Sequence, residues 1–355
     1  MANKFILTGK TKKELEEFFT KLSEPKFRAK QVFEWIYDKR VFDFDQMLNL
    51  PKILRNKLKE NAEVFSLALR GKMISDSTGT EKHLLVTDDN RTIEAVIIPE
   101  GKRTTLCIST QVGCPLDCKF CATGLMGFKR NLTASEIVDQ YLLLQSVYEK
   151  QITNIVFMGM GEPLLNYENT VRATEIFISE ETRGLSKNRI TVSTAGIPPK
   201  IISLADSGLR VKLALSLHST FDEIRSQLMP VNKKYPLKEV YDALEYYARK
   251  TKTRITFEYT MFDGLNDRAE DVKRLVKLTR RIPSKINLIP FNSIEHMNPE
   301  SFSASLKPTP REKIEEFANR LRENNVSVFL RNTQGDDIAA ACGQLAVKEK
   351  SNAEI

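Results

Sequence analysis

From about residue 104 onward the chain alternates short β-branched runs with longer stretches whose apolar residues recur at helical spacing. The β-rich runs fall at 105–109, 154–158, 189–194, 212–217, 254–261 and 286–291. Helical periodicity follows at 133–148, 168–178, 200–206, 237–250, 268–281 and 309–324, with a short stretch at 221–228 between the fourth strand and its helix. Thr133-Ala-Ser-Glu136 opens the first of these helices as a capping box, because Thr133 and Glu136 satisfy each other's free N–H groups. Six strand–helix units in succession predict a parallel α/β sheet. Six is fewer than the eight of a closed TIM barrel, so the pattern predicts a partial, open β/α barrel. Its functional residues are expected at the C-terminal ends of the strands.

Residues 1–65 read differently. Leu15, Phe18, Phe19 and Leu22 share one helical face, as do Val32, Trp35 and Ile36. A small helical N-terminal domain follows, its basic edge carrying Lys26, Arg28, Lys30, Lys39 and Arg40, of a type suited to RNA. Aromatic residues at this spacing belong mostly to cores, so Trp35 is expected to pack rather than to stack on a base. Residues 66–101 alternate polar and β-branched positions, as in Thr92-Ile-Glu-Ala-Val-Ile-Ile98, and predict a β linker element. The core is then 102–345, and the polar tail 346–355 is expected to fray.

Composition adds little except charge. The net charge of +8 favours a polyanionic partner, RNA or DNA first, although charge alone does not single out nucleic acid. No apolar run approaches the ~20 residues that span a bilayer. The polar start does not resemble a secretory signal, and a cytoplasmic protein with no membrane partner is expected. A reducing compartment suits five cysteines kept as thiols or ligands.

Three of those five cysteines sit on one short stretch: Cys114, Cys118 and Cys121, in Gly-Cys-Pro-Leu-Asp-Cys-Lys-Phe-Cys. Three soft ligands so close together bind metal far more readily than they form disulfides. A 4Fe–4S cube has four irons to ligate, so three thiolates leave one iron open to a substrate or cofactor. A structural zinc site is the alternative; it wants four protein ligands, and His83, His218 and His296 are all distant in sequence. The C-x3-C-x2-C spacing resembles the signature of the radical S-adenosylmethionine (SAM) enzymes, in which SAM chelates the fourth iron.

Cys107 and Cys342 stand alone, and lone cysteines are usually small buried hydrophobes. Cys107 lies on the strand feeding the cysteine loop, and Cys342 lies in a small-residue segment flanked by Gly335 and Gly343 that suits a mobile loop. Two further thiols near a radical centre suggest a redox pair or a covalent relay. Glu94, on the β linker, reads by sequence alone as an exposed strand carboxylate.

Several longer motifs stand in order along the chain: Gly-Cys-x3-Cys-Lys-Phe-Cys-Ala-Thr-Gly, Phe-Met-Gly-Met-Gly-Glu-Pro-Leu-Leu-Asn (157–166), Ser-Leu-His (216–218) and Asp-Ile-Ala-Ala-Ala-Cys-Gly-Gln-Leu (337–345). With the N-terminal Phe-Arg-Ala-Lys-Gln-Val-Phe-Glu-Trp-Ile (27–36), they resemble the RlmN/Cfr family of dual-thiol radical-SAM RNA adenine methyltransferases, nearly end to end. The resemblance implies a radical-SAM core in which Cys114, Cys118 and Cys121 hold a 4Fe–4S cluster. It implies SAM contacts at Gly161, Glu162, Ser193, Ser216, Leu217, His218 and Asn292. Without it, Ser193, Ser216 and His218 read as strand-end caps or a satisfied core histidine.

The resemblance further implies that Cys342 is methylated by one SAM and that a second SAM supplies the radical that activates the methyl group. Glu94 would be the proton acceptor at adenine carbon 2. Cys107 would resolve the protein–RNA adduct and form a transient disulfide with Cys342, reset by thiol reductants. Family substrates are an adenosine in the peptidyl-transferase centre of 23S rRNA and one beside the anticodon of tRNA. Such a base must be unstacked to reach a buried site. An electron donor such as flavodoxin or ferredoxin and a monomeric state complete the expectation. Glu162-Pro-Leu-Leu-Asn166 and Leu288-Ile-Pro-Phe-Asn292 resemble the carbon-2 rather than the Cfr-type carbon-8 forms. The other rival is a non-catalytic iron–sulfur or zinc RNA-binding protein, which would need neither Cys107 nor Cys342.

Overall fold

A computed structural model describes residues 4–182 and 184–346; positions 347–355 of the expected polar tail lie outside the described residues. One ten-stranded sheet organises the chain. Its strands are β1 (Leu67–Ile74), β2 (Glu81–Thr87), β3 (Thr92–Glu100), β4 (Arg103–Cys107), β5 (Asn154–Phe157), β6 (Ile190–Thr194), β7 (Lys212–Ser216), β8 (Ile255–Met261), β9 (Ser284–Pro290) and β10 (Val328–Leu330). They lie side by side in sequence order. β1 to β4 pair antiparallel, and β4 to β10 pair parallel. The six expected parallel strands are therefore present, with β10 added as a seventh. The strands of 67–100 continue the same sheet rather than standing apart from it.

Alternation along the strands decides what the sheet encloses, because successive side chains point to opposite faces. Leu106, Ile155, Val192, Leu213, Leu215, Phe257, Ile286 and Leu288 are fully buried beneath the helices. Each such side chain contributes roughly 1.5–3 kcal/mol on burial. The intervening positions, among them Thr105, Cys107, Thr256, Glu258 and Asn287, line a cavity on the concave face instead. A closed barrel fills that space with apolar side chains. Here polar and charged side chains stand among the apolar ones in the lumen, and the two edges of the sheet, β1 and β10, do not pair.

The capping box at Thr133 forms as expected: Glu136 N donates to Thr133 Oγ1 at 3.2 Å, and Thr133 N donates to Glu136 Oε2 at 2.8 Å. The helix it opens, Ala134–Val147, carries the N-terminal region. That region contains helices Lys12–Lys21, Phe27–Phe33 and Lys52–Asn61, with Leu15, Phe18, Phe19, Val32 and Ile36 buried. Trp35 packs half-buried against the core, with Lys39 Nζ 3.7 Å from its ring centroid. Ser135 Oγ donates to the carbonyl of Thr8 at 2.7 Å, and both Ser66 N and Ser66 Oγ donate to Asp139 Oδ2, at 2.6 and 2.7 Å. Among the described residues, no helix is long and apolar enough to cross a membrane.

Candidate active site

The loops at the C-terminal ends of the parallel strands converge on one cavity. Beyond β4, the short strand Gln111–Gly113 pairs antiparallel with Phe128–Asn131, and the cysteine loop is the turn between them. The loop is tight. A side chain at Gly124 would stand 2.9 Å from the backbone N and O of Cys118, so only glycine lets the helical turn Ala122–Leu125 close on it. Cys121 N donates to the carbonyl of Cys118 at 3.1 Å. Cys114, Cys118 and Cys121 then line one cavity with Gly161, Glu162, Ser193, Ser216, His218 and Cys342.

Burial raises all three thiols, Cys114 to about 12 and Cys118 well above its ordinary value, and the neighbouring thiols add to the rise at Cys114 and Cys118. Three thiolates here need a cation to stay charged. Among the described residues, no three His, Cys, Asp or Glu side chains converge to hold a single metal ion. The donor set suits a polynuclear group: three soft thiols on one loop, facing one cavity.

The Gly159-Met160-Gly161-Glu162 turn closes the wall beyond β5. Gly161 takes φ +98, and a side chain on it would collide with Gln111 Cβ at 2.5 Å. That conformation lets Gln111 Oε1 accept from Glu162 N at 2.8 Å. The buried Glu162 carboxylate accepts from Ala195 N at 2.8 Å and Leu164 N at 3.0 Å, while burial holds its pKa above the ordinary value. Ser193 and Ser216 reach the cavity from the last turns of β6 and β7.

His218 adopts φ +53, and its Nδ1 accepts from Thr260 N at 2.9 Å. Burial, then the nearby Arg225 charge, lowers its pKa to about 3, so the ring is neutral. With Nδ1 accepting, the proton sits on Nε2, making it a donor. Leu217 differs from the expectation: it is fully buried and lines neither cavity, and its carbonyl instead accepts from Arg225 Nε at 3.1 Å.

The second cavity shares Cys121 and Cys342 with the first and adds Cys107 and Asn292. Cys107 ends β4 and is buried; burial, then Cys342, pushes its thiol up to about 12. Cys342 keeps exposed surface because it faces the cavities, yet the dense protein around it still raises its thiol. The segment expected to be mobile is held in place. Asn292 Nδ2 donates to the carbonyl of Cys342 at 3.1 Å, Ala122 N to that of Gly343 at 2.7 Å, and Thr123 Oγ1 to that of Leu345 at 2.5 Å.

Glu94 departs from its sequence reading. It is buried, because β3 lies inside the sheet and the C-terminal segment covers its carboxylate. It lines neither cavity, binding Lys82 Nζ at 3.3 Å and Ala346 N at 3.0 Å. Lys82 and Arg225 were invisible in sequence, since neither belongs to a spacing motif. Arg225, fully buried, donates to the carbonyls of Leu217, Ala195 and Ser216 and to Asn232 Oδ1, tying the loops beyond β6 and β7 together.

Residues 6–64 match the family described as the ribosomal RNA large subunit methyltransferase N-terminal domain, and residues 108–278 match the Radical SAM superfamily. A protein of Thermotoga neapolitana, named a probable dual-specificity RNA methyltransferase RlmN, is 45% identical over 337 residues, covering 95% of this chain and 96% of its own. The dual-specificity RNA methyltransferase RlmN of Marinobacter nauticus is 44% identical, covering 97% of this chain and 93% of its own. The crystal structure of a radical SAM methyltransferase from Sphaerobacter thermophilus superimposes with a TM-score of 0.90 at 40% identity, covering 96% of this chain and 99% of that one. The chain belongs to the RlmN family of radical-SAM methyltransferases, a membership that implies a 4Fe–4S cluster and S-adenosylmethionine.

Proposed function

We propose that this protein methylates carbon 2 of adenosine in 23S rRNA and in tRNA, using two SAM per turnover and a methyl group carried on Cys342. The observation that carries this reading is the continuity of the two cavities: Cys342 borders both, the three-thiol loop faces one, and Cys107 faces the other. A structural cluster would need neither of the extra thiols.

In this reading Cys114, Cys118 and Cys121 would hold the 4Fe–4S cluster, which when bound would supply the electron for reductive cleavage of SAM. Glu162 accepts from the SAM ammonium group, a charge-assisted bond. Ser193, Ser216, the Nε2 proton of His218 and Asn292 are the further polar contacts, with the backbone at Gly161 shaping the wall and Leu217, buried behind it, holding Arg225 through its carbonyl. Cys342 takes the methyl group of the first SAM as a thiolate. A hydrogen atom would then pass from that methyl group to the SAM-derived radical, and the methylene radical on Cys342 would add to carbon 2 of adenine. The unpaired electron of the adduct would return to the one-electron-oxidised cluster.

Carbon 2 is not nucleophilic, so direct transfer from the electrophilic SAM methyl would fail; the carrier thiol answers that difficulty. Glu94 accepts the carbon-2 proton after the segment over it withdraws. The Cys107 thiolate attacks the Cys342 sulfur and breaks its bond to the methylene carbon; that carbon takes up a proton and leaves as the methyl group of the RNA, with a Cys107–Cys342 disulfide left behind. The basic N-terminal region, with Lys26, Arg28, Lys30, Lys39 and Arg40, holds the flanking RNA phosphates. The protein acts as a monomer in the cytoplasm, with a flavodoxin or ferredoxin as electron donor.

The test is mass spectrometry of adenosine from protein-free rRNA and tRNA incubated anaerobically with cluster-loaded protein, SAM and reductant. New 2-methyladenosine supports the reading, and 8-methyladenosine would move the protein to the Cfr-type reaction. RNA binding without methylation, in a protein that cleaves SAM, would sink the role given to Cys342.

A further inference from the structure

The lumen of the open barrel does not end at the thiols. Arg103 begins β4 and Cys107 ends it, and both line the second cavity. The cavity therefore runs the length of that strand, roughly 13 Å at ~3.3 Å per residue. At its far end stand Lys212 and Lys285, near the starts of β7 and β9. Arg103 and Lys212 are exposed, so the cavity reaches solvent there, at the face opposite the converging loops.

This rear mouth is basic. Arg103, Lys212, Lys285 and Arg331 line the cavity, against the carboxylates of Glu100 and Glu258. Glu100 is bound to Arg103, and buried Glu258 accepts from Asn287 Nδ2 at 2.9 Å. Lys212, Lys285 and the Arg331 guanidinium make no ion pair among the described residues. Burial, then the charge of Lys212, holds the Lys285 ammonium below its ordinary value, a strain that an entering anion would relieve.

We propose that this basic lumen is the entry route for a small anionic thiol that reduces the Cys107–Cys342 disulfide from behind, while the loop face is given over to RNA. The inference rests on the role proposed for the two cysteines. One thiolate attacks a disulfide sulfur, forming a mixed disulfide and expelling the other cysteine as a thiolate. A second thiolate attacks the mixed disulfide, leaving as the oxidised dimer of the reductant. Two thiols thus supply the two electrons, and both cysteines are restored. Steering by the mouth acts on the approach of the reductant, where a field of one sign raises on-rates.

The test labels cluster-loaded protein anaerobically with an anionic reagent, 2-sulfonatoethyl methanethiosulfonate, and a cationic one, 2-(trimethylammonio)ethyl methanethiosulfonate. Rates at Cys107 are followed by peptide mass mapping and normalised to a free thiol. The wild type is expected to favour the anionic reagent roughly tenfold, and K212E/K285E to lose that preference. The single variant K212E, altered at an exposed side chain, carries the same comparison if the double variant does not fold.

Reduction of the oxidised protein by 2-mercaptoethanesulfonate against cysteamine should show the same reversal. An unchanged anionic-to-cationic ratio in the variants would overturn the route. An oxidised protein with no Cys107–Cys342 linkage would overturn the role of the pair itself, whatever the labelling ratio.

Discussion

Lys82 and Glu94 meet diagonally across adjacent antiparallel strands, Nζ to Oε1 at 3.3 Å, and each also grips the segment that carries Cys342. Lys82 Nζ donates to the carbonyl of Ala339 at 3.2 Å, and Glu94 Oε2 accepts from Ala346 N at 3.0 Å. Cys342 lies between those two anchor points. Burial raises the Glu94 pKa and the Lys82 charge pulls it back, so the pair and the covering segment stabilise one another. For Glu94 to receive a proton from a substrate, its bond to Ala346 must break. The clamp thereby links opening of the segment to the availability of the base.

The variant K82M leaves the Glu94 carboxylate buried without its cation, a change that costs about 3–5 kcal/mol. A lower denaturation midpoint is expected, together with faster hydrogen exchange at Ala346. K82M/E94Q should recover much of the loss, because no charge is then left buried. Equal destabilisation of the single and double variants would count against the pair as the source.

Asp139 gives the N-terminal contact a pH dependence. Burial raises its pKa to about 7, against the pull of the Thr8 hydroxyl and of Ser66, which donates two hydrogen bonds to Oδ2. An unfolded aspartate titrates near ~3.9. Between those values the folded protein binds more protons than the unfolded one, so stability falls as pH rises from about 4 to about 7. The loss attributable to this group is on the order of 4 kcal/mol. D139N, whose amide oxygen can still accept from Ser66, should flatten that slope and stabilise the protein at pH 8. Urea midpoints measured at pH 5 and pH 8 decide the matter.

Much of this architecture was legible in the sequence. Six parallel strands, their helices and the Thr133–Glu136 cap follow from local periodicity and local hydrogen bonding, which are properties of neighbouring residues. β10 was missed because Val328–Leu330 offers three residues, too few for an alternation. Burial of Glu94 was missed because it depends on the sheet continuing past β4 and on a segment some 250 positions away, as the Ala346 contact shows. The cysteine loop was legible as three thiols at fixed spacing. Arg225 was not, since its partners are backbone carbonyls brought together only by the fold.

R225Q tests that last relationship. Replacement removes several bonds from buried carbonyls at Ala195, Ser216 and Leu217, each worth about 1–3 kcal/mol when left unmet. A loss of about 3 kcal/mol in stability is expected. SAM affinity of the loaded protein should fall roughly tenfold, because one guanidinium ties together the ends of β6 and β7, next to Ser193, Ser216 and His218. Retained SAM affinity in a destabilised variant would confine Arg225 to folding.

The proposed release step carries its own pH signature. The Cys107 thiol is held at about 12, first by burial and then by Cys342. Methylation of Cys342 removes the second cause and leaves the first. Only the thiolate attacks sulfur, so its scarcity at neutral pH limits the resolution of the RNA adduct. The rate of release should climb about tenfold per pH unit between pH 7 and 9, measured by quenching single turnovers and resolving adduct from free RNA on denaturing gels. C107S should hold the adduct at every pH. A flat profile with wild-type protein would mean that another group takes the Cys107 proton during attack.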